Sequence, residues 1–182
     1  MLTNDVKGAF MATEHLIKQG YTRIAHIKGQ QASRNAMPRF HGYKQALDKY
    51  NIEPDEVLVR ECTSATEEEG YGFAQQFLRL AQPPDAIFCV NDETAIGVLA
   101  ALHKAGVCVP QEIGVVGFSN SKASEYMHPP LSSIEQFGSD IGKIAAEILI
   151  ELIQSDNKAL ELKHRKTLLE PKLFVRESSG RS

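Results

Sequence analysis

Asn91 and Asp92 follow directly on the apolar run Ala86–Val90, and a helical pattern begins immediately after them. A buried parallel strand delivers small polar side chains to the rim of a sheet in this way. Two more apolar runs end alike. Ser33, Asn35 and then Arg39 come after the run Arg23–Lys28, and Ser119 and Asn120 come after Ile113–Phe118. Parallel strands bring all of these ends to one edge, and in open α/β sheets that carboxyl edge is where ligands bind. Arginine offers five donors in a fixed fork and asparagine a donor and an acceptor together, which suits a polyhydroxylated or anionic ligand. Each residue alone has a plainer reading. Ser33 and Asn35 are also turn or cap residues, Asn91 or Asp92 also caps the helix that follows, and Arg39 is also a surface side chain. Their shared placement at strand ends is what favours a binding site.

The elements that must position them alternate along the chain. Gly8–Gln19 has apolar residues at Phe10, Met11, Leu16 and Ile17 and a stop at Gly20, so it reads as a helix. Arg23–Lys28 reads as a strand, Gly29–Pro38 as a polar loop, and Arg39–Tyr50 as a helix with Phe40, Tyr43, Ala46 and Leu47 on one face. Strand Glu56–Arg60, helix Glu67–Ala81, strand Ala86–Val90, helix Glu93–Ala105 and strand Ile113–Phe118 follow. After a loop from Ser119 to Pro130, Ser132–Glu135 is short and extended. Ile141–Gln154 is a helix with an apolar face at Ile141, Ile144, Ala145, Ile148, Leu149 and Leu152. Thr167–Leu169 and Lys172–Val175 pattern as a terminal hairpin, and Glu177–Ser182 as a frayed end. The alternation from Arg23 to Phe118 implies a parallel sheet covered on both faces, with right-handed crossovers.

Composition narrows the function. With 182 residues, 42% hydrophobic and 24% charged, the chain has the make-up of a globular protein with one good core or two small ones. A net charge of −3 argues against a nucleic-acid surface within these residues. No apolar run approaches the roughly 20 residues that span a bilayer. The first residues lack the pattern of a signal peptide. Cys62, Cys89 and Cys108 have no metal-ligand spacing and read as reduced thiols, so neither a metal nor a cofactor is expected. No nucleophile elbow, Gly-rich phosphate loop or metal-spaced His/Cys set is present, and the six histidines are scattered. Glu67–Glu69 reads as an acidic first helical turn. No catalytic residue is therefore assigned.

Six segments in order carry a family resemblance. They are Gly8…Ala12-Thr-Glu-His-Leu16…Gly20-Tyr-Thr-Arg-Ile-Ala-His-Ile; Arg39-Phe-His-Gly42-Tyr…Ala46-Leu47; Pro84-Asp-Ala-Ile-Phe…Asn91-Asp92…Ala95…Gly97; Val109-Pro-Gln-Glu-Ile-Gly-Val-Val-Gly117-Phe; Pro130-Leu-Ser-Ser-Ile-Glu-Gln136; and Leu173-Phe-Val-Arg176-Glu-Ser178. Together the chain resembles the effector-binding core of the LacI family of bacterial transcription regulators, which itself looks like a periplasmic sugar-binding protein. The resemblance implies an α/β, type I periplasmic-binding-protein-like fold. Residues 1–30 would be the remnant of an N-terminal subdomain, 31–131 a complete C-terminal effector-binding subdomain, and 132–182 the crossover back and the tail.

By the same resemblance, Arg39 looks like the family's effector-gripping arginine and Asn91 like its pocket amide. Ser33 and Asn35 fall at loop contacts, and Gln136 lies on a crossover near the pocket. Ser119 completes the set of expected ligand-binding residues. Two positions depart from the family pattern. Gly117-Phe118-Ser119-Asn120 replaces Gly-Phe/Tyr-Asp-Asp, and Ala65 stands where an aromatic residue often stacks on the ligand. Loss of a carboxylate removes a strong acceptor for paired hydroxyls.

Family members begin with a helix-turn-helix DNA reader, and the stretch before Gly8 leaves no room for one. The chain is therefore expected to be a truncated piece, with a degenerate gene product as the alternative, that exposes apolar faces and is poorly stable alone or pairs with another copy. The implied function is effector sensing by a cytoplasmic, dimeric DNA-binding regulator, with a sugar, nucleoside or phosphosugar as effector. Operator DNA would be a partner only through the missing reader. Helix Glu93–Ala105 and loop Ser121–Met127 are candidate dimer contacts, although Val98, Leu99 and Leu102 equally fit an intrachain core. A transport-type sugar-binding protein is the alternative.

Overall fold

A computed structural model describes residues 2–154 and 168–181. Six strands form one twisted sheet: β2 (Ile24–Lys28), β3 (Val59–Glu61), β4 (Ala86–Cys89), β5 (Gly114–Ser119), β6 (Ser132–Glu135) and β8 (Lys172–Phe174), in the order β3-β2-β4-β5-β6-β8. The first five run parallel, and β8 closes the edge antiparallel to β6. Helices α1 (Asp5–Lys18) and α2 (Ala36–Lys49) cover one face, and α3 (Glu67–Leu78) and α4 (Asp92–Lys104) the other. Strand periodicity assigns the residues. Ala25, Ile27, Ile87, Cys89 and Val115 pack with α3 and α4, while Ile24, Ala86, Phe88, Val116 and Phe118 pack with α1 and α2.

Close helix contacts set how tightly the layers stack. A Cβ on Gly97 would lie 1.9 Å from the Glu67 carbonyl, and one on Gly42 would lie 2.1 Å from the Val6 carbonyl. Both positions therefore require glycine for the α3–α4 and α1–α2 crossings. His26, on the α1–α2 face, stacks on Phe88 at 4.7 Å between centroids, with Tyr43 at 5.0 Å. Its Nδ1–H donates to the Phe88 carbonyl at 3.0 Å, and Nε2 has no partner among the described residues. Burial, aided by the nearby charges of Arg39 and Lys28 and opposed by the Phe88 bond, pushes its pKa down to about 3. The ring is therefore neutral.

Several expectations are corrected. Residues 1–30 are not set apart from the rest, because β2 sits between β3 and β4 and α1 shares a core with α2 and the sheet. Helix α2 begins at Ala36 rather than Arg39. Pro38 falls in its first turn, where a missing N–H removes no intrahelical bond. Residues Glu56–Leu58 form a 3-10 turn capped by the Asp55 carboxylate, which leaves a strand of only Val59–Glu61. The terminal hairpin does not form. β7 (Leu168–Leu169) pairs parallel with β1 (Leu2–Thr3), and β8 joins the main sheet; Thr167 lies outside the described residues. The tail is anchored rather than frayed. Ser178 Oγ donates to the Val115 carbonyl at 2.7 Å and accepts from Ser132 N–H at 2.8 Å, and Ser179 bonds to Ser132 and His15. Ser182 lies outside the described residues.

Val98, Leu99 and Leu102 are buried in the core beneath α4, so they are not free to meet a second copy. Helix α5 (Gly138–Gln154) leaves Leu149, Ile150 and Ile153 exposed; the side chain of Leu152 lies outside the described residues. Cys62, Cys89 and Cys108 are free thiols. No helix among the described residues is long and apolar enough to cross a membrane.

Candidate functional site

A hollow of about 520 Å³ opens at the carboxyl rim of the sheet, of a size that takes a monosaccharide or nucleoside. It lies where the start of α1, the loop before α2 and the chain after β6 meet. Ser33, Asn35, Arg39 and Gln136, four of the residues singled out from the sequence, line it together with Thr3, Asn4, Asp5 and Arg34.

Arg39 is the centre of this arrangement. It projects from the first turn of α2, and its side chain is only 3% exposed. Nε donates to Asp5 Oδ1 at 2.8 Å, Nη1 donates to the Val90 carbonyl just past β4, and Nη2 reaches Gln136 Oε1 at 3.4 Å. The guanidinium carbon sits 3.7 Å above the centroid of Phe118 at the end of β5. Such a desolvated cation–π contact contributes about 2 kcal/mol. Burial draws the pKa of Arg39 down and Asp5 opposes it, and an arginine so placed remains charged.

Ser119 stands one bond behind the hollow. Its Oγ accepts from Gln136 Nε2 at 2.9 Å, and Thr3 Oγ1 donates to the Gln136 carbonyl at 3.1 Å. Ser33 Oγ donates to Asn35 Oδ1 at 2.6 Å. Asn35 occupies the N-cap position of α2 without capping it, so its amide is left for the hollow.

Asn91 is not among the residues lining the hollow. Its Oδ1 caps α4 by accepting from Thr94 N–H at 2.9 Å, and its Nδ2 donates to the Ala65 carbonyl at 3.0 Å. The cap is the plainer of the two roles its sequence position allowed. Asp92 is buried beneath the rim and accepts from Ser121 N–H, Ser124 Oγ and Ser133 Oγ at 2.6, 2.7 and 2.5 Å. It holds the loop after β5 to β6.

Sequence reasoning missed Thr3, Asn4, Asp5 and Arg34. Starting the first helix at Gly8 left Thr3-Asn4-Asp5 looking like a tail. The available signal was Asn4 followed by Asp5, an N-cap and an acidic first turn, and Asn4 does accept from Lys7 N–H.

Among the described residues, the lining contains no histidine, cysteine or lysine. No cluster of metal-ligating side chains occurs among the described residues.

Comparison with known proteins decides the family. The periplasmic binding protein-like domain model matches residues 13–179. The chain belongs to that family. It is 34% identical over 158 residues to the HTH-type transcriptional repressor PurR of Vibrio atlanticus, covering 85% of this chain and 46% of the relative. It is 32% identical over 178 residues to the ribose operon repressor of Haemophilus influenzae, covering 98% of this chain and 52% of the relative. A LacI family transcriptional regulator from Enterococcus faecium with bound ribose superposes with a TM-score of 0.87 at 29% identity, over 98% of this chain and 64% of that one. The chain thus spans about half the length of the curated relatives it matches.

Proposed function

We propose that the hollow around Arg39 binds a small polar effector, a sugar, nucleoside or sugar phosphate, in a regulator that couples its occupancy to operator binding. The observation that carries this reading is the convergence on one guanidinium of three separate segments: the start of α1 through Asp5, the end of β4 through Val90, and the crossover after β6 through Gln136. The Gln136 contact, at 3.4 Å, is the longest of the three. An effector that supplies a better acceptor takes Nη2 from Gln136 and loosens that crossover from α2. A ligand that favours one arrangement by a few kcal/mol of differential contact shifts the population accordingly, with coupling of about 1–3 kcal/mol typical of such sites.

The relatives are repressors, and one structural neighbour carries ribose, which supports a sensing role over catalysis. A DNA-reading segment elsewhere in the full-length protein, a homodimer and a cytoplasmic location belong to the same proposal. A calorimetric screen of this chain against sugars, nucleosides and sugar phosphates tests the site. The expected result is binding by a member of the panel that Arg39→Met and Gln136→Ala each weaken. Binding that neither substitution alters, with both variants folded, overturns it.

A further inference from the structure

We infer that the effector carries a carboxylate or phosphate group, seated against Arg34 and Arg39; this rests on the effector reading of the hollow. The lining holds two arginines and a single acid, Asp5, which is already committed to Arg39 Nε. Several neighbouring groups are committed to one another: Ser33 Oγ donates to Asn35, and Thr3 Oγ1 donates to the Gln136 carbonyl. Asn35 spends its oxygen on Ser33 Oγ, so its amide hydrogens are the free end. Of the five N–H groups of a guanidinium, Arg39 has three committed to protein acceptors, and the others have none among the described residues although the side chain is nearly buried. Arg34 is exposed at the mouth and makes no hydrogen bond or ion pair among the described residues.

A neutral sugar needs two things this hollow lacks: a free carboxylate to accept from paired hydroxyls, and a flat aromatic face for its C–H surface. The aliphatic lining is Val6, Pro38 and Ile141. The ring of Phe118 lies beneath the guanidinium of Arg39 and is covered by it. Ser119, behind the hollow, gives its oxygen to Gln136. Two arginines against one committed acid, with guanidinium N–H groups left unpartnered among the described residues, select a ligand rich in anionic oxygens. Two forked guanidiniums match the geometry of a carboxylate or phosphate group.

Calorimetry on this chain with two matched pairs, ribose against ribose 5-phosphate and glucose against gluconate, tests the inference at low and high sodium chloride. The acid-bearing member of at least one pair is expected to bind about tenfold or more tightly than its neutral parent, the step that a charge-assisted bond supplies. That advantage should shrink with salt, because Arg34 is exposed. It should largely vanish in Arg34→Gln, a substitution at an exposed position that leaves the core untouched. An advantage for the phosphate alone assigns a phosphate, and one for gluconate alone assigns a carboxylate. Equal binding of neutral and anionic partners, or an advantage that Arg34→Gln leaves intact, overturns the inference while leaving the effector site standing. Failure of all four probes to bind counts against both.

Discussion

His26 makes the stability of this chain fall steeply in mild acid, and the size of the fall can be worked out. The ring lies among Phe40, Tyr43 and Phe88, with its Nε2 unpartnered, and its pKa is pushed down to about 3. In the unfolded chain it returns to the ordinary histidine value of 6.5. Below pH 6.5 the unfolded state therefore binds a proton that the folded state refuses, so stability is full above 6.5 and is lost as pH falls toward 3. Each pH unit in that window costs about 1.36 kcal/mol, or about 2 kcal/mol by pH 5, against a total stability of roughly 5–15 kcal/mol. His15, half-buried and also lowered by burial, adds a smaller loss of the same sign. His26→Phe keeps an aromatic ring in the stack and removes the titration. At pH 7 it forfeits one hydrogen bond of about 1 kcal/mol, but between pH 7 and pH 5 it should lose about 2 kcal/mol less than the parent. Urea unfolding at the two pH values measures this difference directly. Equal acid losses in parent and variant, or a ring that titrates near 6.5 in the folded protein by NMR, would refute the assignment.

Two further substitutions report on the scaffold. Gly97→Ala drives a methyl group into the Glu67 carbonyl and should force α3 and α4 apart, costing about 3 kcal/mol and lowering Tm by roughly 6–12 °C. Differential scanning calorimetry checks it; an unchanged Tm would contradict the close helix crossing. Asn91→Ala removes the α4 cap and the tie to Ala65, and should cost about 1–2 kcal/mol in urea midpoint measurements. Effector affinity should stay unchanged, because Asn91 does not line the hollow.

The sheet was legible because its strands read as unbroken apolar runs closed by polar residues, a pattern that demands burial on both faces. The edges were not. β8 and β7 are each too short to carry a period of their own, and their partners, β6 and β1, lie far away in sequence, so adjacency suggested a hairpin that does not form. At the hollow, Ser33, Asn35, Arg39 and Gln136 come together because they sit on strand-to-helix connections or a crossover. Asn91 sits on such a connection too, yet the demand of α4 for a cap claims its side chain. A residue type that both caps and binds cannot be assigned from position alone. Asp5 escaped notice because its bond to Arg39 exists only once α1 and α2 stand side by side.

The most direct measurement is a crystal structure of this chain with the tightest-binding member of the effector panel. The ligand should lie in the hollow, with an acceptor on Arg39 Nη2, Gln136 turned away, and the Asp5 and Val90 contacts kept. A ligand bound elsewhere, with Arg39 still joined to Gln136 and the hollow filled only by water, would contradict the assignment of the site.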